Sequence, residues 1–296
     1  VSMESRFNGY VSWLRDRDPA FLAELKDRKR KVLNHPAEVH FTRWAAERTE
    51  RYIRENANKP EPFFCMMSLF DPHNPYQDYP PEMAGKVKRA RIPKPVRKET
   101  LPEEIEEMKF GYGASIAFAD QEIGKVLAVL DECGIAEDTL VIFMSDHGDA
   151  LGDHGMMVKG VALYDSVVKV PLILRWPGRV PAGHVCDALV QGHDLAGTCL
   201  AAARLDVPTA DSMSFSRTLD LVALTQGRKE EERTAAFCAY RNSGINSRNE
   251  YWSPQMNATA CITQTHKLIV FGSGDETEYE LFDLVADPRE THDCSD

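Results

Sequence analysis

One stretch limits what this chain can fold into more than any other: Thr139-Leu-Val-Ile-Phe-Met-Ser-Asp-His-Gly-Asp-Ala-Leu-Gly-Asp-His-Gly-Met-Met-Val-Lys159. Thr139 to Met144 is a nearly continuous apolar run with three β-branched residues. It has the length of a fully buried strand and the look of one from a mainly parallel sheet. Ser145, Asp146 and His147 stand at its end, and Gly148 allows the chain to turn sharply. In open α/β sheets, ligands gather at the carboxyl ends of strands. An Asp-His pair there, followed by Asp149, Asp153, His154 and Lys159, is more polar chemistry than a surface turn needs. A carboxylate and an imidazole can hold a divalent cation, and an ammonium about a dozen residues later can hold an anion against it. The plain alternatives are that Asp146 caps a turn and that Lys159 is a solvated lysine.

The rest of the chain reads as alternating helices and strands. Residues 1 to 36 are mixed and charged, which suits a solvated helix or loop. Phe41, Trp44, Ala45, Tyr52 and Ile53 fall at helical spacing and predict an amphipathic helix over about 37–56. Phe63 to Phe70 is a second buried-strand candidate, and it too ends in a polar knot, Asp71-Pro-His-Asn-Pro-Tyr76. His73, between two prolines, is either a structural loop histidine or a functional one. Gly85 to Lys98 is basic, and the run that follows to Glu107 is acidic. It reads as a mobile surface loop, or else Lys86, Lys88, Arg89 or Arg91 steer an anion toward the site.

Ile116, Ala119, Ile123, Val126, Leu127 and Leu130 predict a long helix over about 110–132. Val168 to Arg175 predicts a further strand, and Asp194 is placed to cap a helix over 195–205. Strand, loop and helix thus alternate as a doubly wound α/β sheet requires. Composition changes beyond Val207. After the polar linker 226–233, short runs at 234–240, 267–271 and 279–283 predict a small antiparallel sheet. The expected division is 1–227, a partial catalytic domain, and 228–296, a small C-terminal α+β subdomain.

With 296 residues there is ample material for one large or two smaller cores. The net charge of -11 argues against general nucleic-acid binding, which needs a basic face. No run of eighteen apolar residues occurs, so a soluble chain with no membrane span is expected. Seven cysteines without close pairing read as reduced thiols rather than a disulfide framework. The first residues do not form a signal peptide. Bacterial cytoplasm, periplasm and secretion all stay open, as does oligomeric state.

Taken together, Ser145-Asp-His-Gly, Gly152-Asp-His-Gly, Lys159-Gly, Tyr164-Asp and Val170-Pro-Leu-Ile-Leu-Arg-Trp-Pro-Gly178 closely resemble the second half of the type I sulfatases, within the alkaline-phosphatase-like superfamily. The likeness runs from about His40 to the C-terminus. Glu280-Leu-Phe-Asp-Leu followed by Asp287-Pro-Arg-Glu resembles the end of the family's C-terminal subdomain. The resemblance implies a sulfuric ester hydrolase acting on a small-molecule or glycan sulfate ester. It implies that Asp146 and His147 are metal ligands, and that His73 and Lys159 contact the sulfate, with His73 or Lys159 supplying the proton to the leaving oxygen. His154 and Asp149 are implied to lie behind those ligands. The implied cofactor is a divalent cation, calcium first, with manganese or zinc better suited to an imidazole.

The chain departs from the family in two respects. Type I sulfatases carry a Cys-x-Pro-x-Arg or Ser-x-Pro-x-Arg segment, whose first residue becomes the formylglycine nucleophile, and an Asp-Asp pair that completes the metal site. Neither pattern occurs in these 296 residues. The expectation is that they lie in an N-terminal segment outside this chain, with its strands, leaving an exposed sheet edge here. Two other readings stand beside the first. One is a phosphonate monoester or phosphodiester hydrolase of the same superfamily; the other is a non-catalytic relative that binds an anion or glycan.

Overall fold

Apolar residues recur at helical spacing close to the start of the chain, and they pack. Helices α1 (Gly9–Arg17) and α2 (Pro19–Lys26) bury Val11, Leu14 and Leu22 with Val39, under Tyr10, Trp13 and Phe21. Asp18 ends one helix and caps the next by accepting the Phe21 N–H. The expectation of a solvated segment therefore fails here: charges dominate the composition, but the few apolar residues share one face.

The computed structural model describes residues 8–27, 34–205, 218–227, 233–241, 256–273 and 275–295. They fall into two units, Val1–Lys94 with Thr100–Ala136 and Pro95–Glu99 with Glu137–Asp296. In the first, α3 (Phe41–Asn56) packs on the long α4 (Glu103–Glu132). Glu103, Glu104 and Glu106 favour the positive end of α4 and start it a turn or two earlier than its apolar stripe predicts. Glu122 is buried on this helix because Arg43 reaches it at 2.8 Å and Lys125 at 2.5 Å. Burial alone would raise its pKa, yet the two cations hold it below the usual carboxylate range. Phe118, fully buried against Met83 and Ala114, contributes about 1.5–3 kcal/mol. A Cβ on Gly111 would lie 1.8 Å from the Tyr76 carbonyl oxygen, so only glycine lets α4 approach the 71–79 loop this closely.

The run Phe63–Phe70 has no regular secondary structure and joins no ladder among the described residues, and Phe64, Met66 and Phe70 are exposed. An apolar run becomes a buried strand only when neighbouring strands flank it, and none does so here. The basic stretch is more ordered than a bare loop. It forms 3₁₀ turns at Pro81–Lys86 and Arg89–Arg91, and Arg89 is held by Glu107 at 2.6 Å and over the Phe110 ring at 4.0 Å.

In the second unit, β1 (Val141–Met144) pairs with β2 (Leu172–Arg175), Ile142 opposite Leu174. The pair is antiparallel and part-exposed at Phe143, Met144 and Ile173. A parallel pair needs a crossover, usually helical. The chain between these strands carries only one short α-helix, α4's successor α5 (Asp165–Val168). All the ladders among the described residues are antiparallel, where a mainly parallel sheet is the expectation from sequence.

The C-terminal runs form the antiparallel sheet that short strands between turn residues predict. Strands β3 (Ala236–Arg241), β4 (Met256–Ile262), β5 (His266–Ser273) and β6 (Glu276–Asp283) lie in that order. One face packs Ala258, Ala260, Ile269 and Phe282 against Leu163 and Tyr164. The sheet thus shares its unit with β1, β2 and the loop that carries Lys159.

Helices α6 (Asp194–Ala202) and α7 (Leu221–Thr225) complete the described elements. Asp194 is not the cap of α6. It sits inside the helix, fully buried, and accepts the Gln191 and Leu219 N–H groups and the Arg233 guanidinium. Of the linker 226–233, only its ends lie within the described residues. All seven cysteines are free thiols. No helix among the described residues is long and apolar enough to cross a membrane.

Candidate active site

The turn after β1 is built by its own polar groups. The Ser145 hydroxyl donates to the His147 carbonyl at 2.8 Å, and Asp146 Oδ1 accepts the His147 N–H at 3.0 Å. The Gly148 N–H donates to the Val167 carbonyl at 2.7 Å, tying the turn to α5. A Cβ on Gly148 would lie 2.1 Å from the Ser166 carbonyl oxygen. Glycine follows the Asp-His pair because the backbone of α5 passes too close for any side chain.

That turn fixes the chemistry of His147. Its Nδ1 lies 2.8 Å from the Gly148 carbonyl oxygen. A carbonyl only accepts, so Nδ1 carries the proton and Nε2 carries the lone pair in the neutral ring. Nε2 lies 3.8 Å from Asp146 Oδ2, whose side chain is 87 % exposed. A nitrogen lone pair and a carboxylate oxygen side by side, with the ring oriented through its other nitrogen, is the arrangement of metal-ligating histidines. The donor set fits a divalent cation. It supplies two ligands of the four to eight that such ions take.

Past this turn the chain folds tightly. Leu151, Gly152, His154 and Gly155 all have positive φ. Asp153 turns inward to accept the Val96 N–H at 3.0 Å. The His154 ring stacks on Tyr164 at 3.8 Å and 12°, and the Tyr164 hydroxyl donates to Glu280 at 2.9 Å. Burial first, then Arg97, lowers the His154 pKa, so this ring is neutral. Burial and the Glu280 carboxylate together raise the Tyr164 hydroxyl far above its usual range. Asp149 and Lys159 are half-buried in the same loop.

His73 belongs to the other unit. Its N–H donates to the Phe70 carbonyl at 3.0 Å, and its ring leans on Phe70 at 4.7 Å. Nδ1 lies 2.9 Å from the Asn74 carbonyl oxygen, so here too Nδ1 carries the proton. In the imidazolium, the second proton is on Nε2.

Two clusters escaped the sequence reading. Lys267, on β5, is fully buried and pairs with Asp165 and with Glu290, the latter at 2.5 Å. His35, His40 and Asp78 converge beside Asp71. Each cluster joins residues distant in sequence, Asp78 to His35 and His40, and Lys267 to Asp165, and only the polar knot at Asp71 hinted at either.

The sulfatase family matches residues 10–205, and a family described as N-sulphoglucosamine sulphohydrolase, C-terminal, matches residues 152–296. The chain belongs to the sulfatase family. An arylsulfatase of Clostridium perfringens is 28 % identical over 278 residues, covering 85 % of this chain and 53 % of its own length. A protein solved in complex with its substrate D-glucosamine-2-N,6-O-disulfate is 27 % identical, with a TM-score of 0.54 over 64 % of this chain and 36 % of that one. The phosphonate monoester hydrolase of Agrobacterium radiobacter shares the fold, with a TM-score of 0.79 at 22 % identity over 97 % of this chain and 64 % of that one. The chain therefore has the alkaline-phosphatase-like fold, and it spans about half the length of the arylsulfatase it matches.

Proposed function

We propose that the protein is a hydrolase of sulfate esters, and that this chain supplies part of its active site. The observation that carries the reading is the ring orientation of His147. Its Nδ1–H is spent on the Gly148 carbonyl, which leaves Nε2 beside the Asp146 carboxylate at the end of β1.

In this reading Asp146 and His147 hold a divalent cation, with calcium favoured and manganese or zinc the alternatives. When bound, that ion offsets negative charge on the sulfate oxygens. Lys159 places its ammonium against the same oxygens, as a point charge. His73, its Nδ1 proton held by the Asn74 carbonyl, presents the Nε2 proton that neutralises the leaving oxygen, with Lys159 as the other candidate donor. Asp149 and His154 support the turn from behind, His154 through its stack on Tyr164. The nucleophile is assigned to a formylglycine from a Cys- or Ser-x-Pro-x-Arg segment, a pattern these 296 residues do not contain.

The substrate assigned is a sulfated glycan or a small sulfate ester. The disulfated glucosamine bound by a relative supports the glycan class. Hydrolysis of p-nitrophenyl sulfate by the protein from its native source tests the reading. The expected result is turnover that falls at least about a hundredfold in Asp146→Ala. Preferential turnover of an aryl phosphonate would instead place the protein with the phosphonate hydrolases. Anion binding without turnover would make it a binding relative.

A further inference from the structure

His35, His40 and Asp78 each offer one donor atom, and the three atoms lie within 4.8 Å of one another. All three belong to the unit that contains α3 and α4. His35 contacts Asp78 through both its ring and its backbone, Nδ1 touching Oδ1 and the N–H donating to Oδ1 at 3.1 Å. His40 is 5 % exposed, and its ring packs edge-on against Phe118.

Hydrogen bonding accounts for only one side of the His40 ring. Its Nδ1 takes a long 3.2 Å contact from the Thr42 N–H, and its Nε2 is buried with no hydrogen-bond partner. Buried polar atoms are rarely left so. Beside it, Asp71 Oδ2 accepts the Thr42 hydroxyl and lies 3.6 Å from His40 Nδ1. With the ring proton on Nδ1, on the side of that carboxylate, in place of the long Thr42 contact, Nε2 carries the lone pair a cation would take.

We propose that His35, His40 and Asp78 form a second divalent-cation site, taking an ion of the zinc class. Two imidazoles and one carboxylate are a recurrent zinc donor set, with water in the fourth position. With two imidazoles among three donors, the set suits zinc better than calcium or magnesium. Donors around a tetrahedral ion at about 2.0–2.1 Å stand roughly 3.3 Å apart. The His35–Asp78 contact therefore opens when the ion enters. Asp71 lies two residues before His73, so a filled site also braces the loop that carries His73. The proposal involves residues other than Asp146 and His147 and does not rest on the sulfate-ester reading.

The test is zinc titration of the 296-residue chain after chelator treatment, with metal content read by mass spectrometry. About one equivalent should remain in Asp146→Ala, and affinity should fall at least about tenfold in His35→Ala and in Asp78→Asn. Cobalt in place of zinc should give tetrahedral d–d bands without a thiolate charge-transfer band, which separates this site from the free cysteines. If the variants do not fold, the unaltered chain still decides. Cobalt should broaden the ring resonances of both His35 and His40. Zinc retention unchanged in both variants, a thiolate band, or unbroadened His35 and His40 resonances would each overturn the proposal.

Discussion

Lys267 Nζ lies 2.5 Å from Glu290 Oε1, and neither side chain reaches solvent. The ammonium also pairs with Asp165, the first residue of α5, and Glu290 accepts the Asp165 N–H at 2.7 Å. One lysine on the C-terminal sheet thereby ties β5 to the helix whose backbone pins Gly148. Removing one partner of a buried pair leaves an uncompensated charge, typically at a cost of about 3–5 kcal/mol. Lys267→Met should lower unfolding stability by that amount in a urea titration. A loss under about 1 kcal/mol would show that the pair is not needed.

Gly148→Ala should also destabilise, by about 1–3 kcal/mol, because the new methyl meets the Ser166 carbonyl. It should weaken divalent-cation binding as well, since the Asp146–His147 turn hangs on the Gly148–Val167 hydrogen bond. Calorimetric titration with calcium or manganese measures the second effect. An alanine variant with native stability and affinity would mean that the turn shifts freely.

Asp194 gives a pH dependence with a definite sign. Burial alone raises its pKa, but the Arg233 guanidinium and the Gln191 and Leu219 N–H groups bring it below the ordinary value. A depressed carboxylate contributes stability that is fully present above the unfolded pKa of about 3.9 and is lost as pH falls through the folded value. The chain should lose stability on acidification below about pH 5, and Asp194→Asn should show a shallower slope in that window. Urea midpoints across that range read the difference.

His154 should titrate below the ordinary histidine value, because burial and Arg97 disfavour its cation. Its contribution to stability is present above about pH 6.5 and is lost as pH falls toward the folded pKa. The ring Cε1 proton followed by NMR gives the midpoint directly. A midpoint above about 6.5 would contradict the stacked, neutral ring.

Local pattern made much of this legible. The stripe Ile116–Leu130 marks α4, the short apolar run at 267–271 marks β5, and the Asp146-His147-Gly148 turn sits where its strand ends. What pattern could not supply was partnership. Phe63–Phe70 reads as a buried strand because apolar runs usually find neighbours, yet no described strand flanks it. Asp194 reads as a helix cap because aspartate favours that position, but Arg233, 39 residues on, draws it inside. His35, His40 and Asp78 span more than forty residues, and their convergence depends on how α3 and the 71–79 loop fold back together.

Turnover of p-nitrophenyl sulfate, measured on the protein from its native source and on its Asp146→Ala and Lys159→Ala variants, decides whether the turn after β1 belongs to a sulfate-ester site. The native protein should hydrolyse the sulfate, each variant should lose at least about a hundredfold, and the 296-residue chain alone should show no appreciable turnover. Full activity in the 296-residue chain, or hydrolysis indifferent to Asp146 and Lys159, would contradict that assignment.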